Sequence, residues 1–169
     1  VSRKRNDSIQ IALNRVPRAE VLRIDLTADE VTRQRQLAAI MTVKDSRGRL
    51  GHLRAILMGE KQPRFTNKPI EIEFKTQLNE SQKAAVKFAL SAEDLAIIHG
   101  PPGTGKTHTA IHLLTAFVRM GRGPILATAE SNVAVDNLLE GLLEMGVNAV
   151  RIGRPVKVRE HLREATLDA

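Results

Sequence analysis

A glycine-rich segment, residues 100–107, reads Gly-Pro-Pro-Gly-Thr-Gly-Lys-Thr and limits this sequence to few folds. An apolar run, residues 95–99, comes directly before it, and apolar residues recur at helical spacing after it, at Ile111, Leu114 and Phe117. This order predicts a buried strand, a loop and a helix. The segment matches the pattern G-x-x-x-x-G-K-[ST] in full, and the pattern requires this context.

The composition of the loop predicts that it binds a nucleoside triphosphate. Glycine has no Cβ, so backbone N–H groups can converge on phosphate oxygens, and the N-terminus of the following helix adds partial positive charge. Lys106 is expected to reach the β- and γ-phosphates, and the hydroxyl of Thr107 to ligate Mg²⁺. We therefore predict ATP and Mg²⁺ as cofactors and both residues as catalytic; a glycine turn without a ligand is the alternative. The predicted nucleotide contacts of this segment are Gly100, Pro101, Pro102, Gly103, Thr104, Gly105, Lys106, Thr107 and His108.

The second half of the chain predicts an α/β fold. A strand is expected at residues 124–128, a helix from about Val133 to Met145, and a further strand at residues 147–152. Together with the strand and helix that flank the glycine loop, these elements follow the order β-α-β-α-β. This order is typical of a parallel sheet with right-handed crossovers, so the predicted fold class is the parallel sheet of a P-loop NTPase.

The first half predicts smaller pieces. Residues 8–26 have the alternation of two short strands, and residues 27–59 predict a stalk of two helices, the first capped by Thr27 and Glu30. Residues 60–75 contain prolines and lysines and are interpreted as a linker. We therefore divide the chain into the end of a small β domain at 1–26, a stalk at 27–59, a linker at 60–75 and part of an ATPase domain at 76–169.

The basic residues are unevenly distributed along the chain. The net charge is +7; residues 1–75 hold 16 Lys or Arg and 9 Asp or Glu, and residues 76–169 hold 10 of each. A one-sided basic excess favours a polyanionic partner, although a solvated basic face explains it equally well. The sequence has no cysteine, which excludes disulfides, cysteine zinc clusters and thiol nucleophiles. No apolar run approaches the ~20 residues of a membrane span, so we expect no membrane association. We also expect an intracellular, cytoplasmic protein that is a monomer.

Three segments, in order, resemble the early motifs of superfamily 1 helicases. They are Leu78-Asn79-Glu80-Ser81-Gln82, the glycine loop, and Ser131-Asn132-Val133-Ala134-Val135-Asp136-Asn137-Leu138. The branch that they resemble, in superfamily 1B, is that of the nonsense-mediated-decay and immunoglobulin-mu-binding helicases. Its next block is similar to Val150-Arg151-Ile152-Gly153-Arg154.

The resemblance covers residues 76–169 well and residues 20–65 loosely. It implies the first half of a RecA-like motor domain one. It also implies that a β-barrel-like inserted domain on a helical stalk precedes that motor domain.

The resemblance also implies roles for several polar residues. Gln82 matches the glutamine that reads adenine, because a side-chain amide can pair with a donor and an acceptor on the base edge. Asn79 and Gln82 also have capping-box spacing, so Gln82 could simply close the start of a helix. For Ser131 and Asn132 the alternative to holding a nucleic-acid phosphate is a plain N-cap. The implied contacts to single-stranded nucleic acid are Ser131, Asn132, Gly153 and Arg154.

Other positions are interpreted without a direct role in binding or catalysis. His108 stands where threonine is common in this branch, and we interpret it as a tolerated helix residue rather than a catalyst. Asp136 is expected to support packing or hydrogen bonds behind the site. His99 and His112 lack the spacing of a metal site and are expected to be structural.

No Asp-Glu pair ends a strand after the glycine loop, although helicases of this kind need one, the Asp for Mg²⁺ and the Glu to orient water. The one adjacent pair, Asp29-Glu30, lies upstream. We therefore expect an ATP-binding fragment that hydrolyses little ATP, from a protein that couples hydrolysis to 5′-to-3′ movement on single-stranded DNA or RNA. Three alternatives stay open: an AAA-type ring ATPase, a nucleic-acid-binding module that ATP switches without unwinding, and a truncated product without activity.

Overall fold

A computed structural model of the chain describes residues 3–4, 9–10, 30–74, 78–153 and 159–167. The chain forms two compact units, Val1–Lys44 and Asp45–Ala169. Within the predicted strand segment 8–26, only residues 9–10 are described, and the predicted helix start at Thr27 lies outside the described residues. The first unit contains strand β1 (Arg3–Lys4), strand β2 (Ile9–Gln10), which pairs antiparallel with β1, and helix α1 (Glu30–Lys44).

The described part of the second unit is mainly helical. Its elements are α2 (Gly48–Leu57), α3 (Glu80–Ser91), α4 (Lys106–Arg119), α5 (Asn132–Glu144) and a 3-10 helix (Glu160–Ala165). The two helices that the sequence assigns to one stalk fall in different units, because the units divide between Lys44 and Asp45. None of the described helices combines the length and the apolar character that a membrane crossing needs.

Local sequence explains where the helices begin and end. Asn79 caps α3 in a capping box, since its side chain accepts the N–H of Gln82 at 2.9 Å and the Gln82 side chain accepts the N–H of Asn79 at 3.1 Å. Ser131 caps α5 by accepting a backbone N–H of the first turn at 3.2 Å. Gly121 and Gly146 follow α4 and α5 with φ of +70° and +73°, the left-handed conformation that ends many helices.

Helix α4 packs between α3 and α5. Gly141 allows α5 to approach closely, because a Cβ at this position would overlap the side chain of Ile111 on α4. Burying each large apolar side chain stabilises the unit by roughly 1.5–3 kcal/mol. Because such side chains lie on both sides of α4, this helix and the loop that precedes it are held from two sides. The buried residues are Leu78, Val86, Leu90 and Ala116 on the α3 side and Ile111, Leu142 and Val147 on the α5 side.

The predicted parallel sheet is not formed among the described residues. Residues 95–99, 124–128 and 147–152 are all described, yet none of them is a strand, and their one bridge joins Arg151 to Thr166. A strand needs a hydrogen-bonded neighbour, which these segments otherwise lack in the described part of the chain. The sheet therefore stays a prediction. Apolar side chains of the three segments remain exposed, at 75% for Ile97, 80% for Leu126 and 72% for Ile152.

Candidate nucleotide and nucleic-acid sites

The glycine loop enters α4 through backbone conformations that suit glycine. Gly103 and Gly105 have φ of +83° and +77°, in the left-handed region that other residues adopt at a cost. A Cβ at Gly100 would lie 2.6 Å from Oγ1 of Thr104, and one at Gly105 would lie 2.6 Å from Nε2 of Gln82. The geometry therefore favours glycine at both fixed glycine positions of the phosphate-loop pattern, 100 and 105.

Lys106 folds back into the loop. Its Nζ donates to the carbonyl oxygens of Gly100 at 2.8 Å and Pro101 at 2.9 Å. The hydroxyl of Thr104 donates to the same Pro101 carbonyl at 2.9 Å. The loop thus wraps around an ammonium group at the start of α4, where the first backbone N–H groups of the helix have no intrahelical partner. An anion placed here would meet a lysine and the positive end of a helix.

Thr107 and His108 lie on the exposed side of the first turn of α4. Among the described residues, the hydroxyl of Thr107 has no hydrogen-bond partner, so it is available to a ligand. The carbonyl of His108 accepts a hydrogen bond of 2.9 Å from Nδ1 of the buried His112, and the two rings are 4.4 Å apart. A carbonyl only accepts, so the His112 proton lies on Nδ1. This histidine joins two turns of the helix, and no cluster of potential metal ligands occurs in the described ranges.

Gln82 uses both ends of its amide. Its Oε1 accepts the N–H of Asn79 in the capping box, and its Nε2 donates to the carbonyl of Thr104 at 3.1 Å. Gln82 therefore closes the start of α3, as the alternative interpretation expects, and also ties α3 to the glycine loop. Contact with adenine stays a prediction, because the two hydrogen bonds that Gln82 makes are both to the protein itself.

The start of α5 carries the other predicted site. Asn132 follows the cap residue Ser131, and its Oδ1 accepts a hydrogen bond of 2.9 Å from Nη2 of Arg151. Nε of Arg151 donates to Oδ1 of Asp136 at 2.7 Å. The side chains of Arg151 and Asp136 are 2% and 4% exposed, so this ion pair is buried. Asp136 thus has the supporting role that the sequence predicts.

The remaining predicted nucleic-acid contacts follow Arg151 along the chain. Gly153 is exposed, with a φ of +145°, and a Cβ there would lie 3.0 Å from Nη1 of Arg151. Arg154 lies outside the described residues. The structure therefore gathers Asn132 and Gly153 around one buried arginine, with Ser131 next to Asn132.

Sequence reasoning included Arg151 in a block that resembles the helicase branch but gave this residue no role. No spacing rule connects an aspartate on one helix with an arginine in a later segment. The available signal is Asp136 itself, because it lies on the inward face of an amphipathic helix, and a buried carboxylate needs a cationic partner.

A second ion-pair network, outside both predicted sites, holds the linker. Arg64 donates to the Asp94 carboxylate through its backbone N at 3.0 Å, Nε at 2.9 Å and Nη2 at 2.8 Å, and Nε2 of His52 lies 3.3 Å from the same group. The Arg64 guanidinium therefore holds the pKa of Asp94 well below its usual range, with a smaller contribution from His52. The network joins α2 and the linker to the turn after α3.

Comparisons with known proteins agree with these motifs. Residues 77–169 match the AAA domain family. An uncharacterized ATP-dependent helicase of Methanocaldococcus jannaschii is 38% identical over 152 residues, which are 88% of this chain and 22% of the relative. The DNA-binding protein SMUBP-2 of Mesocricetus auratus is 39% identical over 166 residues, 97% of this chain and 17% of the relative. DNA polymerase alpha-associated DNA helicase A of Schizosaccharomyces pombe is 42% identical over 95 residues, 56% of this chain and 14% of the relative.

The chain spans less than a quarter of the length of each of these relatives, at 22%, 17% and 14%. The part of the chain that matches the AAA domain family, residues 77–169, includes the glycine loop, the start of α5 and the Arg151 segment. The relatives are named as helicases or as a DNA-binding protein. The chain therefore belongs to the AAA domain family, in the superfamily 1B helicase branch that its early motifs resemble.

Proposed function

We propose that this chain supplies the ATP-binding part of an ATP-dependent helicase or translocase that moves on single-stranded DNA or RNA. The observation that carries the proposal is the loop 100–107, which is folded around the Lys106 ammonium group at the start of α4. The named helicases among the relatives support it. Hydrolysis and 5′-to-3′ movement are proposed for the complete protein.

In this proposal Lys106 exchanges two carbonyl oxygens, those of Gly100 and Pro101, for oxygens of the β- and γ-phosphates. A hydrogen bond from an ammonium group to a charged phosphate is stronger than one to a neutral carbonyl, so the exchange favours binding. The residues present fit the expected metal as well, because the hydroxyl of Thr107 is exposed and without a partner in the described part of the chain. Thr107 would ligate Mg²⁺, which supplies charge neutralisation at the phosphates.

Gln82 is proposed to read the adenine base. Its amide already lies against the loop, with Nε2 on the carbonyl of Thr104. Turning this amide toward a base would exchange that bond for a donor and acceptor pair on the adenine edge. Asn79 keeps the side-chain half of the capping box in either state, because its own Oδ1 accepts the backbone N–H of Gln82.

The start of α5 is proposed to hold a phosphate of the strand. The N–H groups of Asn132 and Val133 lie in the first turn and have no hydrogen-bond partner among the described residues. Such groups, together with serine hydroxyls and asparagine amides, are common phosphate contacts in nucleic-acid complexes. We propose Ser131, Asn132, Gly153 and Arg154 as the contacts.

We further propose a RecA-like sheet and the domain division predicted from the sequence. The exposed apolar residues Ile97, Leu126 and Ile152 support the sheet, because the helices that cover both faces of a parallel sheet would bury such side chains. A motor that consumes ATP on nucleic acid works where both are present, so we place the protein inside the cell. The proposed divisions are 1–26 for the end of an inserted β-barrel-like domain, 27–59 for the stalk, 60–75 for the linker and 76–169 for motor domain one.

Strand displacement by the complete protein tests the proposed function. A fluorescent duplex with a single-stranded 5′ overhang should be separated when ATP and Mg²⁺ are present, and a duplex with a 3′ overhang should not. Lys106→Ala should abolish both displacement and ATP hydrolysis. An ATPase that nucleic acid does not stimulate, together with no displacement of either duplex, would overturn the helicase assignment.

A further inference from the structure

The pairing of Arg151 with Asn132 has a consequence for the proposed nucleic-acid site. Two nitrogens of one guanidinium hold two residues of α5: Nε binds Asp136 at 2.7 Å, and Nη2 binds Oδ1 of Asn132 at 2.9 Å. The backbone of Arg151 is fixed as well, since its N–H donates to Ala165 at 2.7 Å and its carbonyl accepts from Leu167 at 3.0 Å. The guanidinium is therefore anchored by side-chain and main-chain contacts.

An arginine leaves an asparagine only one choice of orientation. The guanidinium group has five N–H donors and no acceptor, so the amide oxygen of Asn132, and not its NH₂ group, must face it. The NH₂ group then remains as a donor. Asn132 is exposed, and its Nδ2 has no hydrogen-bond partner among the described residues.

Little of the Arg151 guanidinium faces a strand. Its side chain is 2% exposed, and the Asp136 carboxylate lies against it. Nε and Nη2 are already bonded to Asp136 and Asn132, so a phosphate could reach these two nitrogens only by breaking those bonds. With its present contacts, Arg151 affects strand binding through the residues that it holds.

We propose that Arg151 is a positioning residue for single-stranded nucleic acid, because it fixes the amide of Asn132 with its NH₂ group presented as a donor to a phosphate. The inference rests on the proposed function, which places a strand at the start of α5. The fixed amide adds a donor beside the free N–H groups of the first turn and excludes the rotamer that would present an oxygen to the phosphate. Asp136 fixes the position of the guanidinium, so that Nη2 of Arg151 faces the Asn132 amide oxygen.

Replacing the buried pair together tests the proposal without leaving a lone charge in the core. Arg151→Met combined with Asp136→Leu removes both charges, and apolar replacement of a whole buried pair often preserves the fold; thermal unfolding verifies that it does. In the complete protein, the Kd for oligothymidylate or oligouridylate should rise about fivefold to tenfold, since the Asn132 donor is no longer held toward the phosphate and its charge-assisted hydrogen bond weakens. The dependence of binding on salt should not change, because no cation leaves a phosphate.

A double-mutant cycle separates positioning from general support of the fold. In an Asn132→Ala background, the paired replacement should weaken strand binding by less than about twofold, because the residue through which Arg151 acts is already gone. Equal weakening in both backgrounds would overturn the positioning role. A salt dependence that falls when the pair is replaced would also overturn it, since it would mean that Arg151 contacts phosphate directly.

Matched substitutions on α5 test the polarity of the amide. Asn132→Asp keeps an acceptor for Arg151 but replaces the outward donor with a negative charge. This variant should bind single strands roughly tenfold more weakly, or weaker still. Asn137→Asp is the control, because Asn137 is also exposed and its Oδ1 accepts from another arginine, Arg159, at 2.7 Å. Equal loss in both variants would contradict the inference. Complete absence of strand binding by the wild-type protein would instead overturn the proposed function.

Discussion

At the scale of single residues, the glycine loop is set by a few contacts. Lys106 bonds to the carbonyls of Gly100 and Pro101, and Gln82 bonds to the carbonyl of Thr104. The loop is therefore held in a curved shape by side chains that also have the chemistry to bind a nucleotide. Two of its glycines stand in left-handed conformations, which a Cβ makes costly.

Gly105→Ala should weaken nucleotide binding. The substituted residue would be strained at a φ of +77°, and its Cβ would lie 2.6 Å from Nε2 of Gln82, so the loop or the glutamine must shift. Titration with a fluorescent ATP analogue should show a Kd raised about tenfold, and thermal unfolding a loss of about 1 kcal/mol.

Gly121→Ala is the matched control for this variant. Gly121 has a φ of +70° at the far end of α4, and no atom of the described residues lies within 4 Å of the position of an added Cβ. This control should lose similar stability but keep its affinity for the nucleotide. If both variants bind the analogue equally well, the geometry at Gly105 does not matter for binding.

At the scale of elements, the predictable features are those that local sequence determines. The capping box of Asn79 and Gln82 and the cap at Ser131 both occur where the sequence predicts them. These features depend on residues three or four positions apart, so sequence patterns report them directly.

Contacts between elements could not be predicted in the same way. The Arg151 pair with Asp136 and the Arg64 network around Asp94 join residues 15 and 30 positions apart, and no local rule specifies such a pairing. The predicted strands depend on neighbouring strands for their hydrogen bonds, so their apolar sequence alone does not form a sheet.

The Arg64 network predicts how the stability of the second unit depends on pH. The pKa of Asp94 is depressed in the folded state, so its contribution to stability is fully present above the pKa of an unfolded aspartate, about 4, and is lost as the pH falls below that value. Asp94→Asn should therefore lower the melting temperature at pH 7 and have a smaller effect at pH 3.

Glu93→Gln provides the control for the Asp94 variant. Glu93 is the neighbouring carboxylate, and it lies farther from Arg64, at 3.8 Å, with a side chain that is 47% exposed. Its replacement should change the melting temperature little at either pH, because exposed ion pairs are weak. Equal loss of stability in the Asp94 and Glu93 variants at pH 7 would contradict a specific stabilising contact between Arg64 and Asp94.

At the scale of the whole molecule, the distribution of charge and the length of the match to the relatives both bear on how the protein binds a strand. The basic excess lies in residues 1–75, whereas the part that matches the AAA domain family carries no net charge. The chain also covers only 14–22% of the length of the relatives compared above, so the motor cycle is proposed for the complete protein. The leading segment is therefore the natural place to look for an electrostatic contribution to strand binding.

Reversing the charges of Arg47 and Arg49 tests this contribution. Both lie at the start of α2, where glutamate is well tolerated, so Arg47→Glu with Arg49→Glu should keep the fold. In the complete protein the Kd for single strands should rise, and the slope of log K against log salt should become shallower by up to about 1.4. The same reversal at Lys87 and Arg119 should have a smaller effect. Equal changes in both pairs would identify the basic excess as an ordinary solvated surface.

Calorimetric titration of ATP and Mg²⁺ into the wild-type protein and its Lys106→Ala variant decides whether the glycine loop is the ATP site. The wild type should bind one ATP, and the variant should bind at least about tenfold more weakly with an unchanged melting temperature, because one charge-assisted contact is lost. Lys83→Ala is the control, since Lys83 pairs with Glu80 on α3 and should not affect binding. Equal affinity of the Lys106 variant and the wild type would contradict the claim that this loop is the ATP site.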